Sequence, residues 1–241
     1  MPGPARGEAG DRPDGDRRGW RQRWKRNGAA RPAGRAAVLH PRDDQPPLLE
    51  VALLGRVELV VAGQEIRLAS RGAQALLAVL VLEPRVRTRE AVAAEIWPDG
   101  EGSGTTASLR QALWLVRSSF GAAGVALDSY FEIDAEIIGI RPCEPVQLDV
   151  VRFEALSRGA TVDPEAAVRL YQGDLVECLD LECFAVDRER LSDAYEDALA
   201  VVAEHRLLSG DLDGARAASE ELLSRDPLRE EAHATLIRVH G

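Results

Sequence analysis

The sequence predicts an α+β protein in two parts, a strand-and-helix part followed by an all-α part. Three observations predict it. Short β-rich runs begin at Leu48 and give way to helix-period runs from residue 72 onward. A second pair of β-rich runs follows the third helical run. After Pro142 and Pro145 every apolar run has helical period, and acidic side chains dominate.

The elements follow in order. "LLEVALLG" and "VELVVAG" are β-rich runs separated by Gly55 and Arg56, and Gly63-Gln64 turns into a third, "EIRLA". Turn residues between such runs predict a small antiparallel sheet. "GAQALLAVLVLEP" (72–84) has a broad apolar face and stops at Pro84, which predicts a helix. "TREAVAAEIWP" (88–98) opens on Thr88, whose hydroxyl can cap a first-turn amide, and stops at Pro98. "DGEGSG" (99–104) is a loop. In "TASLRQALWLVRSSFG" (106–121), Leu109, Leu113, Val116 and Phe120 recur at helical period on one side. "VALDSYFEID" and "EIIGI" then form a hairpin that turns near Asp134, Ala135 and Glu136. Three strands, three helices and a hairpin are the element order of a winged helix-turn-helix, over residues 48–141.

Residues 146–241 read as helices: "DVVRFEALSRG" (149–159), "DPEAAVRLYQG" (163–173), "CFAVDRERLSDAYEDALAVVAEHRLLSG" (183–210), "DLDGARAASEELLSRDPL" (211–228) and "REEAHATLIRVHG" (229–241). Gly210-Asp211 breaks one helix, Ala215 sits in the next and Pro227 closes it. That spacing is the one used by a tetratricopeptide unit of roughly 34 residues. The fold class is therefore α+β, an N-terminal winged helix-turn-helix followed by an all-α tetratricopeptide-like helical domain. In the last helix Leu228, Ala232, Leu236 and Val239 recur close to helical spacing. A repeat array covers such a face with the next helix. Here the expected cover is a second copy, giving a homodimer through the C-terminal helices; the alternative is that the helix folds back on the preceding pair.

Charge is unevenly distributed. The chain of 241 residues has net charge −10, which argues against a basic footprint along its whole length. Residues 1–47 carry net +5, residues 48–141 net −3 and residues 142–241 net −12. Residues 1–47 are rich in Pro, Gly, Arg and Asp, lack aliphatic periodicity, and read as a disordered basic tail. Within them "RRGWRQRWKR" (17–26) sets Trp20 and Trp24 one helical turn apart among arginines. It is an arm that touches phosphate or stacks on bases, or else a solvated tail or upstream sequence read from an early start codon.

Cys143, Cys178 and Cys183 have neither the number of a disulfide framework nor the spacing of a zinc site, and read as reduced thiols. The histidines show no ligand pairing, and there is no GxxxxGK(S/T) phosphate loop and no recognisable Ser/His/Asp or Cys/His arrangement. No enzyme, cofactor or metal is expected. No apolar run reaches the ~18 residues of a membrane span, and the N-terminus lacks the apolar stretch of a secretory signal. No membrane partner and a cytoplasmic location are expected.

The helix at 105–120 carries the candidate site. Its apolar stripe defines the inward direction. At helical pitch Gln111 and Ser118 then point most directly outward, with Ala107 and Trp114 nearby and Arg110 and Arg117 on one flank. Gln can bond an adenine edge, Arg a guanine edge or a phosphate, and Trp can cover a thymine methyl or a sugar. The competing reading has Trp114 capping the core from its rim and the arginines solvated. Arg87, Thr88 and Arg89 begin the second helix, whose unpaired N–H groups suit a phosphate; capping by Thr88 alone is the alternative. Arg71, just before the first helix, is a weaker candidate of the same kind.

Six stretches carry a family resemblance: "LLGRVEL…GQEIRL", "RTREAVAAEIWPD", "ASLRQALWLVRSSFG", "VQLDVVRFEAL", "AVRLYQGDLVECL" and the run from "AVDRERLSDAYEDALA" to "RDPLREEAH". In order and spacing the chain resembles the SARP transcriptional activators, an OmpR-type winged helix followed by a bacterial transcriptional activator domain. The resemblance covers nearly all of residues 48–241. It implies a DNA-binding activator that reads double-stranded promoter DNA bearing direct repeats and recruits RNA polymerase, with the loop at 98–105 as a polymerase-facing surface or a mere linker. The departures are specific. Leu115 and Ser118 stand where the resemblance implies basic residues, the hairpin tip is acidic, and the activator domain is short at its C-terminus. The acidic tip, the missing basic residues and the net −3 of residues 48–141 favour the alternative function, a tetratricopeptide-like protein–protein interaction scaffold with a weakened or non-functional winged helix; the outward Arg110, Gln111, Trp114 and Arg117 and the complete element order favour the activator.

Overall fold

In the computed structural model the described residues are 48–100, 103–141, 145–159 and 162–240. The tail expected at 1–47, part of the 98–105 loop, and Cys143 lie outside them. β1 (Leu49–Ala52), β2 (Glu58–Val61) and β3 (Gln64–Glu65) form an antiparallel meander. Alternation drives it: Leu49, Val51, Leu59 and Val61 are buried while Glu50 and Glu58 face solvent. The third run pairs for only two residues; Ile66 donates one further amide to the Leu59 carbonyl at 2.9 Å, and Ile66 and Leu68 bury their side chains outside regular strand.

α1 (Arg71–Leu82) is the centre of the first core, with Ala73 and every residue from Ala75 to Leu82 buried. α2 (Arg89–Ile96) begins at Thr88, whose hydroxyl accepts from the Ala91 amide at 3.3 Å. α3 (Ser103–Ala122) buries Leu109, Ala112, Leu113, Val116 and Phe120. The Phe120 ring meets Tyr130 and Phe131 edge-on at 6.4 Å, which ties α3 to the hairpin. β5 (Phe131–Ile133) and β6 (Ile137–Ile140) turn at Asp134, whose Oδ1 accepts from the amides of Glu136 and Ile137 at 2.7 and 2.8 Å. A two-residue strand, β4 (Arg87–Thr88), pairs antiparallel with β6. Where it arrives, Gly139 is needed: an added Cβ would stand 2.6 Å from Val86 Cα and 2.5 Å from the Arg85 carbonyl oxygen. Gly139→Ala is expected to cost about 1–3 kcal/mol through overpacking against backbone, read as a lower urea midpoint at unchanged slope.

β7 (Val146–Leu148) lies parallel beside β1, Leu49 opposite Val146, so the sheet order is β3-β2-β1-β7. The sheet thus takes three strands from the start of the first part and one from the start of the second. α4 (Asp149–Arg158) follows directly. Its first residue closes the joint: Asp149 Oδ2 accepts from the amides of Leu53 and Leu54, both at 2.8 Å, and Oδ1 accepts from the Val150 amide at 2.7 Å. Beside it the Val176 amide donates to the Leu53 carbonyl at 2.7 Å, and the Gly55 amide to the Asp174 carbonyl at 2.9 Å. All the described residues fall in one compact unit.

The remaining helices are α5 (Pro164–Leu170), α6 (Ala185–Ser209), α7 (Leu212–Arg225) and α8 (Glu230–His240). α5 is shorter than the run expected at 163–173. Tyr171 leaves helical conformation and stacks on Tyr195 at 4.2 Å, with the Arg225 guanidinium 4.8 Å above the Tyr195 ring. Gly210, in the left-handed region at φ 84°, ends α6, and the Asp211 carboxylate caps α7 on the Gly214 amide at 3.0 Å. α8 packs on α7 and α6, with Ala232 and Thr235 buried and Leu236 and Val239 half-buried. The stripe expected at 228–239 is therefore largely covered within the chain; Leu228, in the turn before α8, is 85% exposed. Among the described residues no helix is long and apolar enough to cross a membrane.

Candidate nucleic-acid interface

The inward stripe of α3 fixes its outward face, where Arg110, Gln111, Trp114, Arg117 and Ser118 are all exposed, Trp114 at 65%. Trp114 is thus not a cap on the core. It stands on the wall of an open groove of about 440 Å³ between α3 and the hairpin. Arg110, Trp114 and Arg117 come from α3, Arg89 from the first turn of α2, and Ile133 and Asp134 from the hairpin.

The groove is both cationic and acidic. Arg89 Nη1 donates to the Asp134 carbonyl at 3.0 Å, and Arg117 Nη2 pairs with the Asp128 carboxylate at 3.2 Å. Arg110 has no hydrogen bond or ion pair among the described residues. The amides of Ile137 and Glu136 hold the Asp134 carboxyl below its usual range. Asp128 carries no legible signal in the sequence, because the partner it meets lies across a turn, eleven positions earlier.

The second group of candidate residues separates. Thr88 is the cap of α2 and Arg89 reaches the groove, but Arg87 points the other way. Its side chain is 8% exposed, with Nη1 2.6 Å from Glu95 and 3.1 Å from Glu83. The cause is strand geometry: neighbours in β4 face opposite sides. Arg71 is likewise turned from the groove, its Nη2 donating to the Cys178 carbonyl at 2.9 Å. Among the described residues no group of three or more His, Cys, Asp or Glu side chains is placed to hold a metal ion.

Beyond the groove the chain continues through β7 into the helices α4 to α8. Residues 148–240 match the family model of the bacterial transcriptional activator domain. The match to this activator domain opens on the last residue of β7, so the Asp149 carboxylate lies inside it while the amides it binds, on Leu53 and Leu54, lie outside. A solved structure, Mycobacterium tuberculosis EmbR in complex with low affinity phosphopeptide, is similar at TM-score 0.65 and 22% identity. The likeness covers 80% of this chain and 55% of that one, so this chain spans little more than half of that structure, and what is alike is the fold. No curated protein matches the chain in sequence.

Proposed function

We propose that this chain is a DNA-binding transcriptional activator. In this reading residues 48–141 are an OmpR-type winged helix-turn-helix that reads double-stranded promoter DNA through α3. Residues 146–241 are a tetratricopeptide-like activator domain of the SARP kind that recruits RNA polymerase. The observation that carries the reading is the groove beside α3, where an exposed Trp114 stands among Arg89, Arg110 and Arg117. A helix with side chains is about 10–12 Å across and fits a major groove about 12 Å wide. Gln111 and Ser118 face outward for base edges, Arg110 and Arg117 for guanine or phosphate, and Trp114 for a thymine methyl or sugar. Thr88 and Arg89, at the start of α2, meet the flanking phosphate. Arg87 is excluded from the interface because its guanidinium is taken up by Glu83 and Glu95.

The activator-domain match supports the regulatory half of the reading. Direct repeats would seat two copies in tandem, and multivalent engagement then raises affinity without new contacts. The burial of Ala232 and Thr235 within the chain favours a monomer that pairs on DNA over a dimer built on the C-terminal helices.

A second reading, an interaction scaffold that has lost strong DNA binding, is favoured by the acidic hairpin tip. A mobility-shift titration against the DNA upstream of the coding sequence, at two salt concentrations, separates the two. Sequence preference with a steep salt slope supports the activator; no binding at low salt supports the scaffold.

A further inference from the structure

We infer that Asp128 is an intramolecular stand-in for DNA phosphate: it occupies Arg117 in the free protein, must be displaced for DNA to engage the groove, and thereby sets the affinity. The inference rests on the reading of α3 as the DNA-contacting helix.

Of the three arginines that line the groove, two already have oxygen partners. The Asp134 carbonyl belongs to the hairpin wall of the groove, and the Asp128 carboxylate reaches Arg117 from the single turn at Leu127–Ser129, which precedes the hairpin. An arginine held by carboxylate or carbonyl oxygens is in the arrangement it adopts on phosphate. The Arg117–Asp128 pair is open to water, the side chains 48% and 67% exposed, so the pair is weak and exchanges readily. A phosphate on the same guanidinium wins that exchange. Until that exchange the carboxylate neutralises Arg117 within the protein, so part of the gain from each new phosphate contact goes to breaking the pair, and the groove offers DNA one free positive charge fewer than its arginines suggest.

The opposite role would be preorganisation, with Asp128 aiming Arg117 at DNA. The two roles predict opposite signs. In Asp128→Asn the carboxylate charge goes while shape stays, and the Asp128 backbone carbonyl that receives Arg141 Nε at 2.9 Å is untouched. Binding of the full chain to a random-sequence duplex of about 30 base pairs is measured against salt for wild type, D128N, R117A and the double variant, with circular dichroism as the fold control.

D128N is expected to bind about 3–10-fold more tightly at low salt, with a log–log salt slope steeper by about one. That gain should shrink to near nothing when Arg117 is already alanine. Weaker binding by D128N assigns Asp128 to aiming Arg117 and overturns the inference, as does unchanged binding. An equal gain in the R117A background reduces the effect to net charge and also overturns it. No binding by either wild type or D128N overturns the DNA-reading assignment itself, and this inference with it.

Discussion

Asp149→Ala is expected to lower the unfolding free energy by about 2–5 kcal/mol, the largest effect of any single change proposed for this fold. The carboxylate is the hydrogen-bond acceptor for the amides of Leu53, Leu54 and Val150. Leu53 and Leu54 are 0% and 3% exposed, so water has little access to replace it. Each orphaned buried amide costs about 1–3 kcal/mol. Because Asp149 joins the N-terminal sheet to α4, urea unfolding should remain a single transition at a lower midpoint. A loss under about 0.5 kcal/mol would show that the joint holds without it. Asp149→Asn keeps an acceptor oxygen and should lose less.

The pH dependence has a definite sign. Burial pushes the Asp149 carboxyl above its ordinary 3.8, against the pull of the amides it accepts from. A carboxyl raised in the folded state contributes stability that is present below the unfolded value and is lost as pH rises through the folded value. The Asn variant lacks that contribution, so its deficit relative to wild type should be larger in acid than at neutral pH. Glu165 works the other way. Its bidentate bond to Arg206, at 2.8 and 2.6 Å, holds it below 4.5, so its contribution is present above that value and lost as pH falls.

Arg110→Ala and Arg117→Ala are each expected to weaken specific DNA binding by about 1–3 kcal/mol, a loss of roughly 5- to 150-fold. Arg110 has no partner to release among the described residues, so its removal should leave stability within about 0.5 kcal/mol of wild type. Arg87→Ala is the contrasting control. It removes a side chain that is only 8% exposed and leaves Glu95 without its cation, while Glu83 keeps Arg85, and should destabilise the fold rather than alter the salt slope. Unchanged affinity in both the Arg110 and Arg117 variants, with helix content intact by circular dichroism, would remove α3 as the contact surface.

What could be read from the sequence was what repeats locally. The stripe of Leu109, Leu113, Val116 and Phe120 has helical period, and the structure buries all four and turns Trp114 outward. Thr88 as cap and Asp134 as turn residue follow from short-range chemistry, and both make the bonds expected of them. What could not be read was set by partners far along the chain. β7 is three residues long, too short for alternation to register, and nothing local says that it lies parallel to β1. β4, at two residues, gives no periodicity to say which way Arg87 faces. α5 stops early because Tyr171 finds the Tyr195 ring, a contact between distant positions.

The parallel pairing of β1 with β7 also constrains how the protein can be made. Leu53 and the carboxylate that satisfies its amide are separated by 96 positions. A ribosome adding 5–20 residues per second takes on the order of 5–20 s to cover that distance. Throughout that interval the emerging chain holds one edge of β1 open, and an unpaired edge is a template for a neighbouring chain. A fragment cut at residue 141 would be held permanently at this stage, so dissecting the molecule at the apparent boundary between its halves should yield a species that self-associates.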